Sequence, residues 1–461
     1  MPGSADPAND EGQAMDDQLI SKALEGATDT HEVRIAQGAL SSVNTVFGRC
    51  FGERAVVIVA DGNTWDAAGA RVADLLSQEG RPSVEPYVFP GRPVLYASYD
   101  NVGPLVESLR THDAVPVAVG AGTLNDIVKR AAHEAERPYM AVATAASMDG
   151  YSSFGASLAK DGHKQTVSCP APRAVVADLD VLVAAPSPMT AYGYGDLLGK
   201  VPAGADWLIA DALGVEAIDT SVWSLVQGPL RASIGRPSEL RAGDVEAVGA
   251  LVEGLIMSGL AMQAHASSRP ASGAEHQFSH LWEMEGLGRD DDPPLSHGFK
   301  VGVGSIAIAA LYERLLARDL AAIDIDAVCD RWPSPADLEA TVLDAHPLLG
   351  AVAVKQTSAK YITADQLRER LKRLANAWPT LRDRLGQQLL PPDELRDMLA
   401  AAGCPTEPGH IGLDVDAFRA TYRRSQMIRS RYTVLDLAIE TGLLDECVDE
   451  LFAPGGYWSH L

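Results

Sequence analysis

Nowhere in its 461 residues does the chain hold the roughly 18 consecutive apolar residues that a membrane-spanning helix requires. The nearest candidates, GLIMSGLAMQA at 254–264 and VGVGSIAIAALY at 301–312, are short. Cysteine is scarce as well. Cys50, Cys169, Cys329, Cys404 and Cys447 lie far apart with no CxxC spacing, and any pairing leaves one over. That argues against a disulfide framework and reads as reduced thiols in a cytoplasmic protein. Positive charge is also in deficit, with 38 Lys and Arg against 62 Asp and Glu, a net charge of -24. Broad binding to nucleic acid or an anionic membrane needs the opposite balance, so any anionic substrate must meet cations gathered locally. The acidic, polar opening MPGSADPANDEGQAMDDQ has neither a basic start nor an apolar stretch. It is expected to be no secretory signal but a disordered leader, taken as 1–25.

What is present suits two domains, since 46% hydrophobic residues over this length can fill more than one core. From residue 54 short β-branched runs alternate with helical stretches: RAVVIVADGN, WDAAGARVADLLSQEG, SVEPYVFPG, VGPLVESLRT and AVPVAVGAG, continuing through PYMAVATAAS and AVVADLDVL. Such a βαβ rhythm predicts a mostly parallel sheet flanked by helices, an α/β domain over 26–187. Beyond 188 long amphipathic stretches take over, such as 244–266 and 363–389, and predict an all-α region over 188–461.

Five stretches can carry chemistry. VPVAVGAGTLNDIVKRAA, 115–132, reads as a strand, a glycine turn and a helix. Gly120 and Gly122 permit close backbone approach, and the helix start at Thr123 offers free N–H groups to a diphosphate. The third glycine of GxGxxG is replaced by Asn125, so a purely structural turn fits equally well. ATAASMDGYSS, 143–153, follows the next strand and would open onto the same crevice, or be a plain Asp-Gly turn. AYGYGDLLGK, 191–200, fails as a phosphate loop because Tyr194 stands where glycine is needed and Val201 follows the lysine. Asp196 and Lys200 there make either a surface ion pair or a metal ligand with an anion contact. His276 and His280 in ASGAEHQFSHLWEM share one helix face, as metal site or as ordinary polar residues. With His297, at the head of an apolar helix, Asp196 and His276 would form a one-carboxylate, two-imidazole set suited to a catalytic divalent ion.

In this order GAGTLND, TAASMDGYSS, GYGDLLGK, SGAEHQFSHLWEM and SHGFKVGVG, with RYTVLDLAIETGLLDE at 431–446, resemble the sn-glycerol-1-phosphate dehydrogenase family. That family lies within the superfamily of dehydroquinate synthases, glycerol dehydrogenases and iron-type alcohol dehydrogenases. The resemblance implies a Rossmann-like domain binding NAD or NADP, a helical metal-binding domain and an active site in the cleft between them. It implies a diphosphate loop of Gly120, Ala121, Gly122, Thr123 and Leu124, further cofactor contacts from Thr144, Ala145, Ala146, Ser147 and Ser153, and Asp61 at the adenosine ribose. Asp196, His276 and His297 would hold Zn²⁺, Ni²⁺ or Fe²⁺, with Asp149 and His280 facing substrate. Lys200, Lys300 and Lys164 would meet a phosphate. The implied reaction is the reversible reduction of dihydroxyacetone phosphate to sn-glycerol 1-phosphate, in a homodimer or higher homo-oligomer. The alternatives are a polyol or alcohol dehydrogenase acting on an unphosphorylated substrate, and a dehydroquinate-synthase-like cyclase.

Overall fold

The computed structural model describes residues 19–78, 80–160 and 163–461. Its chain divides into two compact units, Met1–Leu197 with Ser221–Ser268, and Leu198–Thr220 with Arg269–Leu461. Residues 19–26, expected largely within the leader, are helical, with Ile20 and Ala23 buried. Two apolar side chains with a place to pack are enough to hold those roughly two turns; the remainder of the expected leader, 1–18, lies outside the described residues.

The first unit is built on β1 (Glu32–Ala36), β2 (Val56–Asp61), β3 (Tyr87–Phe89), β4 (Val115–Gly120), β5 (Met140–Ala143) and β8 (Ala174–Asp178), with β6 (Ala156–Lys160) and β7 (His163–Val167) forming a separate antiparallel hairpin. The six-stranded sheet is parallel throughout, in the order β1-β8-β5-β4-β2-β3. Every residue of β4, β5 and β8 is buried, which accounts for their unbroken apolar runs: a parallel sheet is covered on both faces. Val56, Ile58, Val115, Val117 and Val119 pack there with Val43, Phe47, Val72 and Leu76. From β2 the chain steps outward to the edge strand β3 and then returns to β4 on the other side of β2. This reversal makes the carboxyl ends of β2 and β4 a topological switch point, where open α/β sheets gather their ligands. With Val59 opposite Ala118, Asp61 and Gly120 end their strands side by side.

Strand β1 and the hairpin were not part of the expected rhythm. β1 is an edge strand of five residues, none fully buried, so it lacks the apolar run that marks its neighbours.

Helix Val245–His265 is the one described helix long and apolar enough, by length and composition, to cross a membrane. It is a core helix of the first unit. The Gln263 side chain accepts from the Asp29 and Thr30 backbone N–H groups and donates to the Thr30 hydroxyl and the Ser152 carbonyl. Those bonds explain why 221–268 packs with the sheet although its pattern is that of the helical half.

In the second unit the helices Ala274–Met284, His297–Leu316 and Ala364–Gln388 form the frame. The last begins in a capping box, Thr363 with Gln366, which sets the start of the long amphipathic run. Phe278 and Trp282 lie on one face of Ala274–Met284 and meet the aromatic cluster edge-on, Phe278 against Tyr422 at 5.0 Å. Trp282 Nε1 donates to Thr421 Oγ1 at 3.0 Å. Burying that face turns His276 and His280 to the other.

Candidate active site

At the switch point, Gly120 ends β4, Ala121 precedes the helix without a side-chain cap, and Gly122, Thr123 and Leu124 form the first turn of Gly122–Glu134. Ala121 makes no side-chain hydrogen bond to the N–H groups of that turn, which lie at the positive end of the helix dipole. A Cβ on Gly122 would strike the Met148 thioether, so a side chain there would have to push the methionine of the loop that follows β5 aside. Thr144 N–H donates to the Gly120 carbonyl at 3.2 Å, which joins Thr144–Ser147 to the glycine turn. Ala145 and Ala146 are buried, and the Tyr151 hydroxyl donates to the Ala145 carbonyl at 2.8 Å. Asp61 caps the turn after β2: its Oδ1 accepts from the N–H groups of Asn63 and Thr64 at 2.8 and 3.0 Å. The cap uses that one oxygen.

Asn125, in place of the third glycine, is not idle. Its Nδ2 donates to the Gly150 carbonyl at 3.3 Å while its Oδ1 accepts from Tyr139. Lys129, one turn on and fully buried, donates to the carbonyls of Gly150, Ser153 and Gly155 at 2.7, 2.8 and 3.1 Å. Together they clamp the segment that presents Asp149 and Ser153. Sequence reasoning missed Lys129; the only local signal is a lysine in the middle of an otherwise buried helix face.

The Asp149 N–H donates to Asp196 Oδ2 at 3.0 Å, and Asp149 Oδ2 accepts from the Ser258 hydroxyl at 3.0 Å. Asp196 is buried on helix Ser187–Leu198, and Lys200 is wholly buried at the start of Lys200–Ala212, so neither belongs to a surface ion pair. Helix Ser187–Leu198 reaches the Thr144–Ser147 loop because residue 193 is glycine. A Cβ there would collide with the Ala146 carbonyl oxygen and Leu255. Gly193→Ala is therefore expected to cost about 1–3 kcal/mol of stability, the usual range for overpacking. With Thr144–Ser147 lining a dinucleotide, as the resemblance implies, it should also raise the KM for that dinucleotide by displacing the loop. Calorimetry and steady-state kinetics check both, and an unchanged melting temperature with unchanged KM would refute the account.

In the second unit His276, His280 and His297 come together, with ring centroids 5.3 Å apart for His276 and His297, 5.8 Å for His276 and His280, and 5.7 Å for His280 and His297. Two carboxylates stand behind them. Glu275 Oε1 takes His276 Nδ1 at 2.7 Å, and Glu283 Oε1 takes His297 Nδ1 at 3.0 Å. A carboxylate on Nδ1 requires the proton there and leaves the lone pair on Nε2, the tautomer of a metal-binding imidazole. The donor chemistry thus fits a divalent cation on His276 and His297. Sequence reasoning missed both glutamates, although Glu275 adjoins its histidine.

The frame of this cluster is a buried aspartate. Asp206 Oδ2 accepts the Ala274 N–H at 2.7 Å, while Oδ1 accepts from Tyr312 and from the Val434 N–H. Burial, reinforced by the nearby Glu275 charge, pushes the Asp206 carboxyl up to about 7. Ser296 caps helix His297–Leu316 through the Phe299 N–H and so fixes His297 at its head.

His280 differs from the other two imidazoles: its Nδ1 lies 3.1 Å from NH2 of Arg429, a residue outside every motif singled out in the sequence. Burial and the adjacent guanidinium hold its imidazole well below the usual histidine range. That direction favours the neutral imidazole. Lys300 is buried and holds the Leu295 carbonyl at 3.2 Å with Glu283 at 4.0 Å. The side chain of Lys164 lies outside the described residues. A cavity of about 280 Å³ lined by Trp332, Tyr361, Lys360 and Glu440 shares no residue with the histidine cluster.

Residues 34–186 match the family model described as iron-containing alcohol dehydrogenase. A glycerol-1-phosphate dehydrogenase (NAD(P)+) of Halalkalibacterium halodurans is 41% identical over 56% of this chain and 65% of its own length. The chain thus spans just under two thirds of that relative. A protein of the same name from Geobacillus thermodenitrificans is 30% identical over 85% of this chain and 88% of its own. The fold is also that of the glycerol dehydrogenase from Schizosaccharomyces pombe, with a TM-score of 0.56 at 17% identity, covering 92% of this chain and 91% of that one.

Proposed function

This chain belongs to the glycerol-1-phosphate dehydrogenase family, and from that membership we propose that it reversibly reduces dihydroxyacetone phosphate to sn-glycerol 1-phosphate with NADH or NADPH at a centre holding one divalent cation. The observation that carries the reading is the pair His276 and His297, each backed on Nδ1 by a carboxylate. Asp196 is the third ligand in this proposal, completing a set that accepts Zn²⁺, Ni²⁺ or Fe²⁺ according to availability. Bound cation and dinucleotide would supply Lewis-acid polarisation of the C2 carbonyl and the hydride.

The protein's own groups bind and orient. The uncapped first turn at Gly120–Leu124 receives the diphosphate at a helix N-terminus. Thr144–Ser147 and Ser153 line the dinucleotide, and the second oxygen of Asp61 meets the adenosine ribose. Asp149 and His280 are assigned to substrate, with Lys200 giving electrostatic support from its buried position. Residues 26–187 supply the dinucleotide groups in this reading, and 188–461 supply the cation ligands and His280. A cytoplasmic location accords with five free cysteines. The homodimer or higher homo-oligomer is part of the same proposal, to be read by sedimentation.

The test is oxidation of NADH and NADPH with dihydroxyacetone phosphate, with and without chelator, followed by chiral analysis of the product. Stoichiometric oxidation, lost with chelator and yielding the sn-1 enantiomer, is expected. No oxidation, with phosphate released from a sugar phosphate instead, would identify a cyclase.

A further inference from the structure

We propose that Arg429, acting with His280, is the clamp for the substrate's phosphate and hence the pair that selects a phosphorylated ketone. This rests on the dehydrogenase reading above.

A chain of net charge -24 must hold such an anion with cations placed at the site. Lys200 is wholly buried, and Lys300 is turned to the Leu295 carbonyl and Glu283. Arg429 is different. It is exposed, it makes no ion pair among the described residues, and its side chain sits on His280. Arginine only donates, so His280 Nδ1 must accept and the imidazole proton must lie on Nε2. The pair therefore presents donors alone: the remaining guanidinium N–H groups in their planar fork and the Nε2–H of His280. That is the complement of a phosphate's acceptor oxygens, and the fork allows two parallel bonds.

The spacing agrees. The His280 ring stands 5.8 Å from His276 and 5.7 Å from His297, the imidazoles assigned to the cation. That is about one helical turn, roughly 5.4 Å, the same order as the few bonds between a ketone oxygen and the phosphorus of a phosphorylated hydroxyketone. A substrate with its carbonyl at His276 and His297 reaches His280 and Arg429 with its phosphate.

The arginine is also held in place beforehand. It follows the short helix Ser425–Ile428, whose Met427 and Gln426 carbonyls accept from Thr357 Oγ1 at 3.1 Å and Lys360 Nζ at 2.6 Å. The next N–H, that of Ser430, donates to Gln356 at 2.9 Å. Anchoring on both sides lowers the entropy lost when an anion binds.

The experiment compares wild type with Arg429→Gln and Arg429→Lys. In Arg429→Gln, KM for dihydroxyacetone phosphate and the competitive inhibition constant of inorganic phosphate should rise together, about 10- to 100-fold, as loss of a charge-assisted bidentate contact predicts. The value of kcat and the bound cation content should be little changed. Arg429→Lys, a point charge without the fork, should fall between. An unchanged inhibition constant overturns the clamp. So does a fall in kcat with KM and the inhibition constant unchanged, which would leave Arg429 only orienting His280. If wild type oxidises no dinucleotide with dihydroxyacetone phosphate, the dehydrogenase reading fails by itself. Calorimetric titration of inorganic phosphate into wild type and Arg429→Gln then still decides the clamp, which is lost if the two bind alike or not at all.

Discussion

His297→Ala is expected to give a folded protein that has lost its divalent cation and, with it, at least about a thousandfold in kcat/KM toward dihydroxyacetone phosphate. A Lewis acid at a carbonyl contributes several kcal/mol of transition-state stabilisation, and each 1.36 kcal/mol is about tenfold in rate. His297 suits the experiment better than His276 for a structural reason. It is partly exposed at the head of its helix, and its partner Glu283 keeps Lys300 nearby when the imidazole is gone. His276 is buried, and Glu275 behind it is wholly so. That carboxylate would be left with the Gly273 N–H, while its Oε2 already has no hydrogen-bond partner among the described residues. His276→Ala should therefore lose stability as well as cation, by about 1–3 kcal/mol. Glu283→Gln should be milder, weakening the cation by about 10- to 100-fold through the orientation of His297. Elemental analysis beside steady-state kinetics reads all three. Full cation content in His297→Ala would show that the ligand set is wrong.

The parts of this site that the sequence announced are those whose partners lie close along the chain. The glycine turn at 120–124 and the histidines at i and i+4 are local patterns, and the parallel sheet declares itself because buried strands are apolar along their whole length. Strand β1, an edge strand without that run, was silent. Arg429 meets a histidine 149 positions away, two residues before the RYTVLDLAIETGLLDE stretch, and nothing in its neighbours marks it as more than a surface arginine. Of the three lysines that the resemblance offers to a phosphate, Lys200 and Lys300 are buried and the side chain of Lys164 lies outside the described residues; sequence pattern reports burial only where periodicity is regular.

Lys129 is the clearest case of a residue that periodicity reads as a helix-face charge and the fold uses as a core group. Its ammonium carries no exposure, donates to three carbonyls and pairs with Asp126 at 3.7 Å; Asp126 in turn accepts the Ser157 N–H at 3.1 Å. Lys129→Met keeps the stem but takes the ammonium away from the Ser153 and Gly155 carbonyls and from the buried Asp126 carboxylate, while the Gly150 carbonyl keeps Asn125 Nδ2. Removing one partner of a buried pair costs about 3–5 kcal/mol, because the remaining charge stays desolvated. At about 2–4 °C per kcal/mol for a domain of this size, the melting temperature should fall by roughly 10 °C. The released carbonyls belong to Ser153 and Gly155, so the loss should be felt by the dinucleotide too, as a raised KM for NADH that Lys129→Arg, keeping the charge, partly restores. Scanning calorimetry gives the first quantity and initial rates the second. A raised KM with an unchanged melting temperature would make Lys129 a direct dinucleotide contact, and the clamp described for it would be wrong.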